Sequence, residues 1–485
     1  MKAQKIAEIC AGTVIGNGGA EIKGVCTDTR KNFAGSLYVA LAGDRFDGHD
    51  FISQALQGGS AAVLWGENDR LEEIKRLRAQ NPDAAFIKVD NTLKSLGQVS
   101  SEILKKYRED KELSTGIRMP VAAVTGSVGK TTTKEMTALA LSAKYDVCKS
   151  AGNHNNEIGV PLTIFSLKSE NAIVLEFGMR GMGQIEYLTE IARPSVGIIT
   201  NIGTAHLELL GSRSRIFMAK AEIAAGIPEG GYLIVNGDND YLNNKELLDA
   251  YIAKVFSKKI NIISAGESED CDYRIKILTE SENESSFEIS YRDASGAEKT
   301  QKMALKVPGR HNITDAALAF AAAVVCGADA DKVAEKLAGY GSDSLRQKMI
   351  EKGGVTVIDD TYNANPESMK AALSVLGRSA GRRIAVLGSM LELGERSALF
   401  HNEVGAYAAA CADILITAGA DAENIAEGFD KEKKNGQNSA IRCENSQKAA
   451  EKLLETIKKG DTVLVKGSRG MTMETVVARL CEVQE

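Results

Sequence analysis

Short apolar runs recur along this chain and alternate with longer segments whose apolar residues follow helical spacing. Such runs are typical of buried strands. The predicted strands lie at residues 36–41, 61–65, 121–124, 172–177, 196–200, 232–235, 355–358, 383–387, 414–417 and 462–465. Because strands that alternate with helices form mostly parallel sheets with helices on both faces, the pattern predicts an α/β fold.

Residues 270–307 follow a different pattern. Phe287, Ile289 and Tyr291 alternate with polar residues, and the sequence Asp293 to Gly296 is typical of a turn. Strict alternation around a turn signal predicts paired antiparallel strands. We therefore expect a hairpin appended to the α/β core.

The chain has 485 residues, which is too many for one ordinary core. Composition and element pattern divide it into an N-terminal domain at 1–115, a central domain at 116–342 and a C-terminal domain at 343–485. The first domain ends in a charged stretch that we interpret as a solvated helix end or linker. The third is a second doubly wound unit, in which Asn365 and Pro366 predict the start of a helix.

Charge and cysteine usage exclude several classes of protein. The formal net charge is −6 and the isoelectric point about 5.7, whereas a dedicated nucleic-acid binder is more often basic. No apolar stretch is long enough to cross a bilayer. The eight cysteines are scattered without a C-x-x-C pair, which is typical of reduced thiols in a protein core. We expect a cytoplasmic monomer that binds no nucleic acid and does not insert into a membrane.

The strongest chemical signal is the segment from Val121 to Thr133. An apolar strand leads into Gly126 and Gly129, then into Lys130, Thr131 and a helix-like segment. Glycines let backbone N–H groups approach phosphate oxygens, the lysine reaches the β- and γ-phosphates, and the threonine hydroxyl can bind Mg²⁺. The standard pattern has another glycine where Val124 stands. The alternative is a glycine-rich turn with a surface lysine, which the order of strand, loop and helix disfavours.

Three further residues are candidates for catalysis. Glu176 ends an apolar strand, where a parallel sheet binds ligands and a carboxylate suits Mg²⁺, although it could instead cap a helix or form an ion pair. His206 follows another strand, but a lone histidine is more often a packing or surface residue. Lys220 lies in a helix-like run, where a solvated lysine is the default interpretation.

Six segments of the chain resemble the Mur ligase family of ATP-dependent amide ligases. The resemblance is carried in order by DRFDGHDF at 44–51, TGSVGKTT at 125–132, NNEIGVPLT at 155–163, DDTYNANPESM at 359–369, VLGSMLELGE at 386–395 and VKGSRGM at 465–471. The two segments that begin at 359 and 386 are most similar to the members that add D-alanyl-D-alanine to a UDP-N-acetylmuramoyl-tripeptide. Those two molecules are therefore the implied substrates, and peptidoglycan precursor synthesis is the implied pathway.

The resemblance implies a small N-terminal α/β domain for the UDP substrate, a central P-loop ATPase-like parallel sheet and a C-terminal Rossmann-like domain. It also implies a set of site residues. The catalytic residues would be Lys130, Glu176, His206 and Lys220. ATP would be bound by Gly126, Ser127, Val128, Gly129, Lys130, Thr131, Thr132, Asn312, Arg346 and Asp360. Two Mg²⁺ ions would be held by Thr131, Glu176, His206 and Lys220, with Lys220 carbamylated by CO₂. Substrate would contact Thr29, Arg30, Asp47, Gly48, His49, Asn156, Asn363 and Asn365.

Two positions depart from the family pattern. The family often has Asn where Asp315 stands and Asp where Ser389 stands. The first departure concerns the nucleotide pocket and the second the acceptor pocket, and neither residue is needed for the chemistry.

Three alternative functions compete with this interpretation. One is a sister ligase that adds another amino acid or polymerises glutamate on folate, one is a non-enzymatic ATP-binding regulator, and one is a kinase that stops at phosphoryl transfer. The third residue of the peptide substrate and the base that deprotonates the incoming amine stay open, with His206 as one candidate base.

Overall fold

The computed structural model describes residues 1–43, 46–66, 70–281, 284–341, 348–433 and 439–483. Its strands are β1 (Thr13–Gly16), β2 (Gly24–Cys26), β3 (Ser36–Val39), β4 (Ala62–Trp65), β5 (Ala85–Lys88), β6 (Val121–Thr125), β7 (Val147–Lys149), β8 (Ala172–Glu176), β9 (Val196–Ile199), β10 (Tyr232–Asn236), β11 (Asn261–Gly266), β12 (Tyr273–Glu280), β13 (Ser285–Arg292), β14 (Glu298–Leu305), β15 (Lys348–Lys352), β16 (Val355–Asp360), β17 (Arg383–Gly388), β18 (Ile414–Ala418), β19 (Ile441–Cys443) and β20 (Thr462–Lys466). Its α-helices are α1 (Ala3–Ile9), α2 (Ile52–Gln57), α3 (Leu71–Gln80), α4 (Thr92–Thr115), α5 (Lys130–Leu141), α6 (Gly159–Phe165), α7 (Gln184–Ala192), α8 (Leu207–Leu210), α9 (Arg213–Ala221), α10 (Lys245–Phe256), α11 (Arg310–Val325), α12 (Ala330–Ala338), α13 (Pro366–Leu376), α14 (Ser397–Cys411), α15 (Glu423–Glu432), α16 (Ser446–Thr456) and α17 (Glu474–Val483). Every predicted strand is present, and the predicted α/β class is confirmed.

The chain forms two compact units. The first unit comprises Met1–Val121, Asp146–Phe177 and Glu186–Pro194. It contains a five-stranded sheet in the order β1-β5-β4-β3-β2, in which β1 is antiparallel to β5 and the other pairs are parallel. Strands β3 and β4 are buried along their whole length, because their apolar residues face helices on both sides. The charged stretch near residue 110 forms the exposed end of α4, as predicted.

The second unit comprises Ala122–Tyr145, Gly178–Ile185 and Ser195–Glu485. Its first sheet contains neighbouring strands in the order β14-β13-β12-β11-β10-β9-β6. Within it, the neighbours β12-β11-β10-β9-β6 pair in parallel. The predicted hairpin is confirmed as β13 and β14, whose turn is closed by the Asp293 carboxylate accepting from the Ser295 amide at 2.9 Å. Strand β12 is also antiparallel to β13, so the appended element has three strands where the alternation predicted two.

A second sheet of the same unit has the order β15-β16-β20-β17-β18-β19. Its strands are parallel except β15, which pairs antiparallel with β16 at the edge. Helix α13 begins where the sequence predicts, since Asn365 accepts from the Ser368 amide at 2.8 Å and Pro366 is the first helical residue. Among the described residues, no helix has the length and apolar character that a bilayer-spanning segment needs.

Candidate active site

The loop between β6 and α5 has the backbone conformation that close approach to a ligand requires. Gly126 has φ +154° and Gly129 has φ +81°, which side chains rarely allow. A Cβ on Gly126 would lie 1.8 Å from Oγ1 of Thr200, and one on Gly129 would lie 2.8 Å from Oδ1 of Asp315. Val124, which replaces the first glycine of the standard pattern, is buried inside β6. Position 124 is therefore part of the strand and accepts valine, and the loop begins after it.

Hydrogen bonds with the segment after β9 and with Lys130 hold this loop. The side-chain oxygen of Asn201 accepts from the amides of Ser127 at 3.0 Å and Val128 at 2.9 Å. The amide of Gly203 donates to the Ser127 hydroxyl at 2.9 Å. The ammonium group of Lys130 donates to the carbonyl of Gly126 at 2.8 Å. Successive amides turned toward one acceptor form the kind of concave site that binds anions.

Replacing Asn201 with aspartate should weaken ATP and ADP binding about tenfold or more, which is roughly 1.4 kcal/mol. The new carboxylate binds the same two loop amides more strongly than a carboxamide does and repels phosphate. Isothermal titration with ADP measures the effect. Asn244→Asp is the matched control, because Asn244 is the N-cap of α10 and aspartate caps a helix equally well. Equal affinities in the two variants would exclude a role for Asn201 at the phosphates.

Three of the predicted catalytic residues lie within electrostatic range of one another. Lys220, in α9, is only 2% exposed, so the structure excludes the default interpretation of a solvated helix lysine. Burial, and secondarily the charge of Lys130, holds the pKa of Lys220 well below its usual value. Burial also lowers the pKa of His206. The Glu392 carboxylate opposes that shift, and the two lysines add to it.

Glu176 belongs to the first unit. It is buried at the end of β8, where its carboxylate accepts from the side-chain amide of Asn155 at 3.0 Å. Asn156, the next residue, accepts from the Gly159 amide at 2.9 Å and so fixes the start of α6. Within the described ranges, no three His, Cys, Asp or Glu side chains are grouped closely enough to hold a metal ion. The predicted metal set differs in including a threonine hydroxyl and a modified lysine, and it stays a prediction.

The residues predicted to contact the UDP substrate occupy two turns of the first unit. The guanidinium of Arg30 is 85% exposed and lies 2.8 Å from the Asp28 carboxylate, whose pKa it lowers to about 2. Thr29 precedes it in the same turn. Arg30 is exposed and Thr29 is half-buried, so a ligand can reach this turn.

The second turn contains Asp47, Gly48 and His49. His49 is buried, and its ring contacts the Asp47 carboxylate at 2.7 Å through Nδ1 and accepts from the Gly66 amide at 3.1 Å through Nε2. Since both ring nitrogens already have protein partners, the His49 ring holds the turn. The predicted substrate contacts of Asp47, Gly48 and His49 stay a prediction.

A cavity of about 620 Å³ in the second unit is lined by residues of the central and C-terminal predicted domains. The predicted site residues that line it are Ser127, Val128, Gly129, Lys130, Thr132, Asn312, Asp360, Asn363 and Asn365. Asn363 and Asn365 were predicted as substrate contacts but lie with the predicted nucleotide residues. Gly126 and Thr131 are adjacent in the chain to lining residues, and Arg346 lies outside the described residues. A cavity of this size suits a nucleotide.

The C-terminal side of the cavity is held by a buried ion pair. Nζ of Lys466 lies 2.6 Å from the Asp360 carboxylate and also donates to the carbonyl of Asn363 at 2.8 Å. Glu367, at the start of α13, accepts from the amide and hydroxyl of Thr204, each at 3.0 Å. These contacts join the loop after β16 to the segment after β9.

The two departures from the family pattern have structural partners. The Asp315 carboxylate accepts from the Thr133 hydroxyl at 2.9 Å, beside the phosphate loop. The Ser389 hydroxyl accepts from the Ala422 amide at 3.1 Å and is buried. Asp315 therefore contacts α5 beside the phosphate loop, and Ser389 contacts the N-cap residue of α15.

Asn201, Glu392 and Lys466 were not singled out from the sequence, although each makes a central contact of the site. Glu392 and Lys466 lie inside the segments that carry the family resemblance, and Asn201 lies five residues before His206. A signal was therefore present, but it did not indicate which residue of each segment contacts the site.

Comparison with known proteins identifies the family of the chain. Three family models match successive parts of the chain: the catalytic domain of the Mur ligase family at 21–104, the Mur ligase middle domain at 124–323 and the glutamate ligase domain of Mur ligases at 345–469. The chain is 37% identical over 492 residues to the UDP-N-acetylmuramoyl-tripeptide--D-alanyl-D-alanine ligase of Bacillus subtilis (strain 168), covering 99% of this chain and 98% of that protein. The chain belongs to the Mur ligase family. The ligase of the same name from Escherichia coli (strain K12) is 34% identical and is covered over 93% of its length.

Solved Mur ligase structures share the fold over nearly the whole chain. A crystal structure of MurF from Acinetobacter baumannii superposes with a TM-score of 0.84 at 30% identity, covering 99% of this chain and 98% of that one. MurF from Thermotoga maritima in complex with ADP superposes with a TM-score of 0.75 at 29% identity, covering 96% and 97%. The predicted family and its three-domain α/β class are thereby confirmed, while the bounds of the three domains stay a prediction.

Proposed function

We propose that this Mur ligase joins D-alanyl-D-alanine to a UDP-N-acetylmuramoyl-tripeptide, with ATP converted to ADP and phosphate, in peptidoglycan precursor synthesis. The cavity that contains the phosphate loop and the loop after β16 is the observation that carries the proposal. Two supporting facts are that relatives with this activity in their names match over almost their full length, and that a solved relative binds ADP.

The reaction needs an activated carboxylate, because a carboxylate itself is a poor electrophile. Its oxygen attacks the γ-phosphorus of ATP, ADP leaves, and an acyl phosphate results. The amine of the dipeptide then attacks the acyl carbon, phosphate leaves, and the amine loses a proton. Charge on the phosphoryl oxygens is stabilised mainly by positioned donors and cations. The ammonium group of Lys130 supplies such a cation, and the amides of Ser127 and Val128, which donate to Asn201, supply donors to a phosphate that takes the place of that side chain.

The predicted metal ligands fit Mg²⁺ only if Lys220 is modified. As an ammonium it could not be a ligand, but a carbamate supplies two anionic oxygens. Burial beside Lys130 favours the neutral amine that reacts with CO₂. Carbamylated Lys220, with Thr131, Glu176 and His206, would hold two ions. When bound, Mg²⁺ neutralises charge that accumulates on the transferred phosphoryl group.

The first unit binds the UDP substrate in this proposal. Thr29 and Arg30 lie on an exposed turn, and a guanidinium suits a diphosphate. The turn formed by Asp47 and Gly48 is held by the His49 amide, which donates to the Asp47 carboxylate, and by the Tyr38 hydroxyl, which donates to the Gly48 carbonyl. These hydrogen bonds position the turn for the same ligand.

The acceptor decides between this function and that of a sister ligase. ADP release should be fastest with D-alanyl-D-alanine when the enzyme is given a UDP-muramoyl-tripeptide, ATP and a panel of dipeptides, single amino acids and glutamate. Mass spectrometry of the product should show a new amide. Activity with single amino acids but not with the dipeptide would contradict the assignment. A phosphorylated product without an amide would indicate a kinase, and no turnover with any acceptor would favour an ATP-binding regulator.

A further inference from the structure

The ring of His206 is held by a carboxylate from a distant part of the chain. Nδ1 of His206 lies 2.6 Å from Oε2 of Glu392, which is 186 residues further along. Glu392 belongs to the segment between β17 and α14, in the predicted C-terminal domain, whereas His206 follows β9 of the central domain. One predicted domain therefore supplies the partner of a candidate catalytic residue in the other.

Both backbones adopt an uncommon conformation at this contact. His206 has φ +64° and Glu392 has φ +63°, although neither is a glycine. Left-handed conformations are uncommon at such residues and persist where the surroundings fix them, often at functional sites. The two side chains meet at the point where both chain segments turn in this way.

Other contacts hold the two segments together. The carbonyl of Glu392 accepts from the amide of Glu208 at 3.3 Å. Gly394 packs so closely on Glu208 that an added Cβ would lie 3.3 Å from its Cα. The guanidinium of Arg180 lies 3.9 Å from the second carboxylate oxygen of Glu392. The segment of Glu392 is thus held by its backbone, and the partly exposed carboxylate lies between His206 and a cation.

A carboxylate at Nδ1 determines which nitrogen of the ring carries the proton. The ring donates through Nδ1–H, so Nε2 keeps its lone pair. Histidines that bind metals usually have this kind of carboxylate partner, which fixes the tautomer and the ring orientation and raises the basicity of the ligating nitrogen. Nε2 is then the nitrogen available to a cation or to a proton from substrate.

We propose that Glu392 is a positioning residue that fixes His206 as the Nδ1–H tautomer, so that Nε2 serves as the ligand for Mg²⁺ when the C-terminal domain is in place. The metal role of His206 belongs to the proposed function, on which this inference rests. The tautomer itself depends only on the contact between the two side chains.

Nuclear magnetic resonance of the full-length protein tests the tautomer directly. Long-range ¹H–¹⁵N spectra of ¹⁵N-histidine-labelled enzyme, without metal or nucleotide, distinguish Nδ1–H from Nε2–H rings, and His206→Gln assigns the signals. The wild type should show His206 as Nδ1–H. Glu392→Ala should move the population toward Nε2–H, and Glu392→Gln, whose carbonyl can still accept, should restore Nδ1–H. The control Glu395→Gln, at an exposed carboxylate of the same segment, should match the wild type.

Metal dependence supplies the second measurement. In Glu392→Ala the Mg²⁺ concentration for half-maximal rate should rise about 10- to 100-fold at saturating ATP, while kcat at saturating Mg²⁺ falls much less. Titration with Mn²⁺ in the absence of acceptor should show the same loss of affinity without turnover. An unchanged tautomer in Glu392→Ala overturns the proposal, and so does a changed tautomer with unaltered metal affinity. Neither result concerns the acceptor panel, so failure of the proposed function is recognised separately.

Discussion

Replacing Lys220 with alanine is expected to lower kcat by about 1000-fold or more. The side chain is buried in α9 beside Lys130 and His206, where an ordinary ammonium would add positive charge and could not bind Mg²⁺. Its lowered pKa favours the neutral amine, which in the proposed function attacks CO₂ through its nitrogen, forms an N–C bond and releases one proton. The variant cannot form that carbamate, so added bicarbonate should not restore activity.

Two measurements separate loss of the carbamate from loss of packing. Wild-type enzyme equilibrated with ¹³C-bicarbonate should show a carbamate resonance that is absent in Lys220→Ala. Lys220→Met keeps most of the side-chain volume, so it should fold like the wild type and be equally inactive. The control Lys254→Ala, at an exposed lysine of α10, should keep both the resonance and the rate. Near-normal turnover in either Lys220 variant, or a resonance that survives in both, would exclude the carbamate.

The strands predicted for the parallel sheets share one physical property. They are largely buried on both faces, so they read as continuous apolar runs, as in β6 and β20. The hairpin strand β13 was readable instead from its alternation of buried and less buried residues. The phosphate loop was equally readable because its glycines, lysine and threonine must occupy fixed positions between a strand and a helix. A single sequence is therefore enough to predict features that depend on residues close together in the chain.

Several of the strands that were not predicted are short or lie at edges, although β5, β11 and β12 lie inside their sheets. Strand β1 has only half-buried and exposed residues, and the three-residue strands β2, β7 and β19 offer too few positions for a pattern. Edge strand β15 is likewise only partly buried. Such segments are strands because of the neighbour they pair with, and that neighbour is set by tertiary structure.

The site contacts that were missed join residues far apart in sequence. Nothing in the helix-like run around Lys220 indicates that its lysine is buried, since burial depends on which elements cover α9. Glu392 meets His206 across 186 residues, and Lys466 meets Asp360 across 106. A single sequence shows the residue types in these pairs but not the pairing.

Replacing Lys466 with methionine is expected to destabilise the protein by about 3–5 kcal/mol and to weaken ADP binding. Lys466 and Asp360 are register partners at the ends of the neighbouring parallel strands β20 and β16. Their side chains are only 2% and 9% exposed. Methionine fills the volume but leaves a buried carboxylate without its cation. It also removes the hydrogen bond to the carbonyl of Asn363, which lines the nucleotide cavity.

Urea unfolding of the full chain, followed with and without ADP, measures both effects. The double variant Asp360→Asn with Lys466→Met should be more stable than Lys466→Met alone, because the unpaired buried charge is then absent. It should still bind ADP poorly, since Asp360 also lines the cavity. Lys448→Met breaks an exposed pair with Glu451 and should hardly move the unfolding midpoint. If Lys466→Met behaves like this control, the pair is not a determinant of stability. If it unfolds more easily yet binds ADP normally, the pair supports the fold alone, and the loop after β16 must be positioned for nucleotide by the cap at Asn365 and the contact between Glu367 and Thr204.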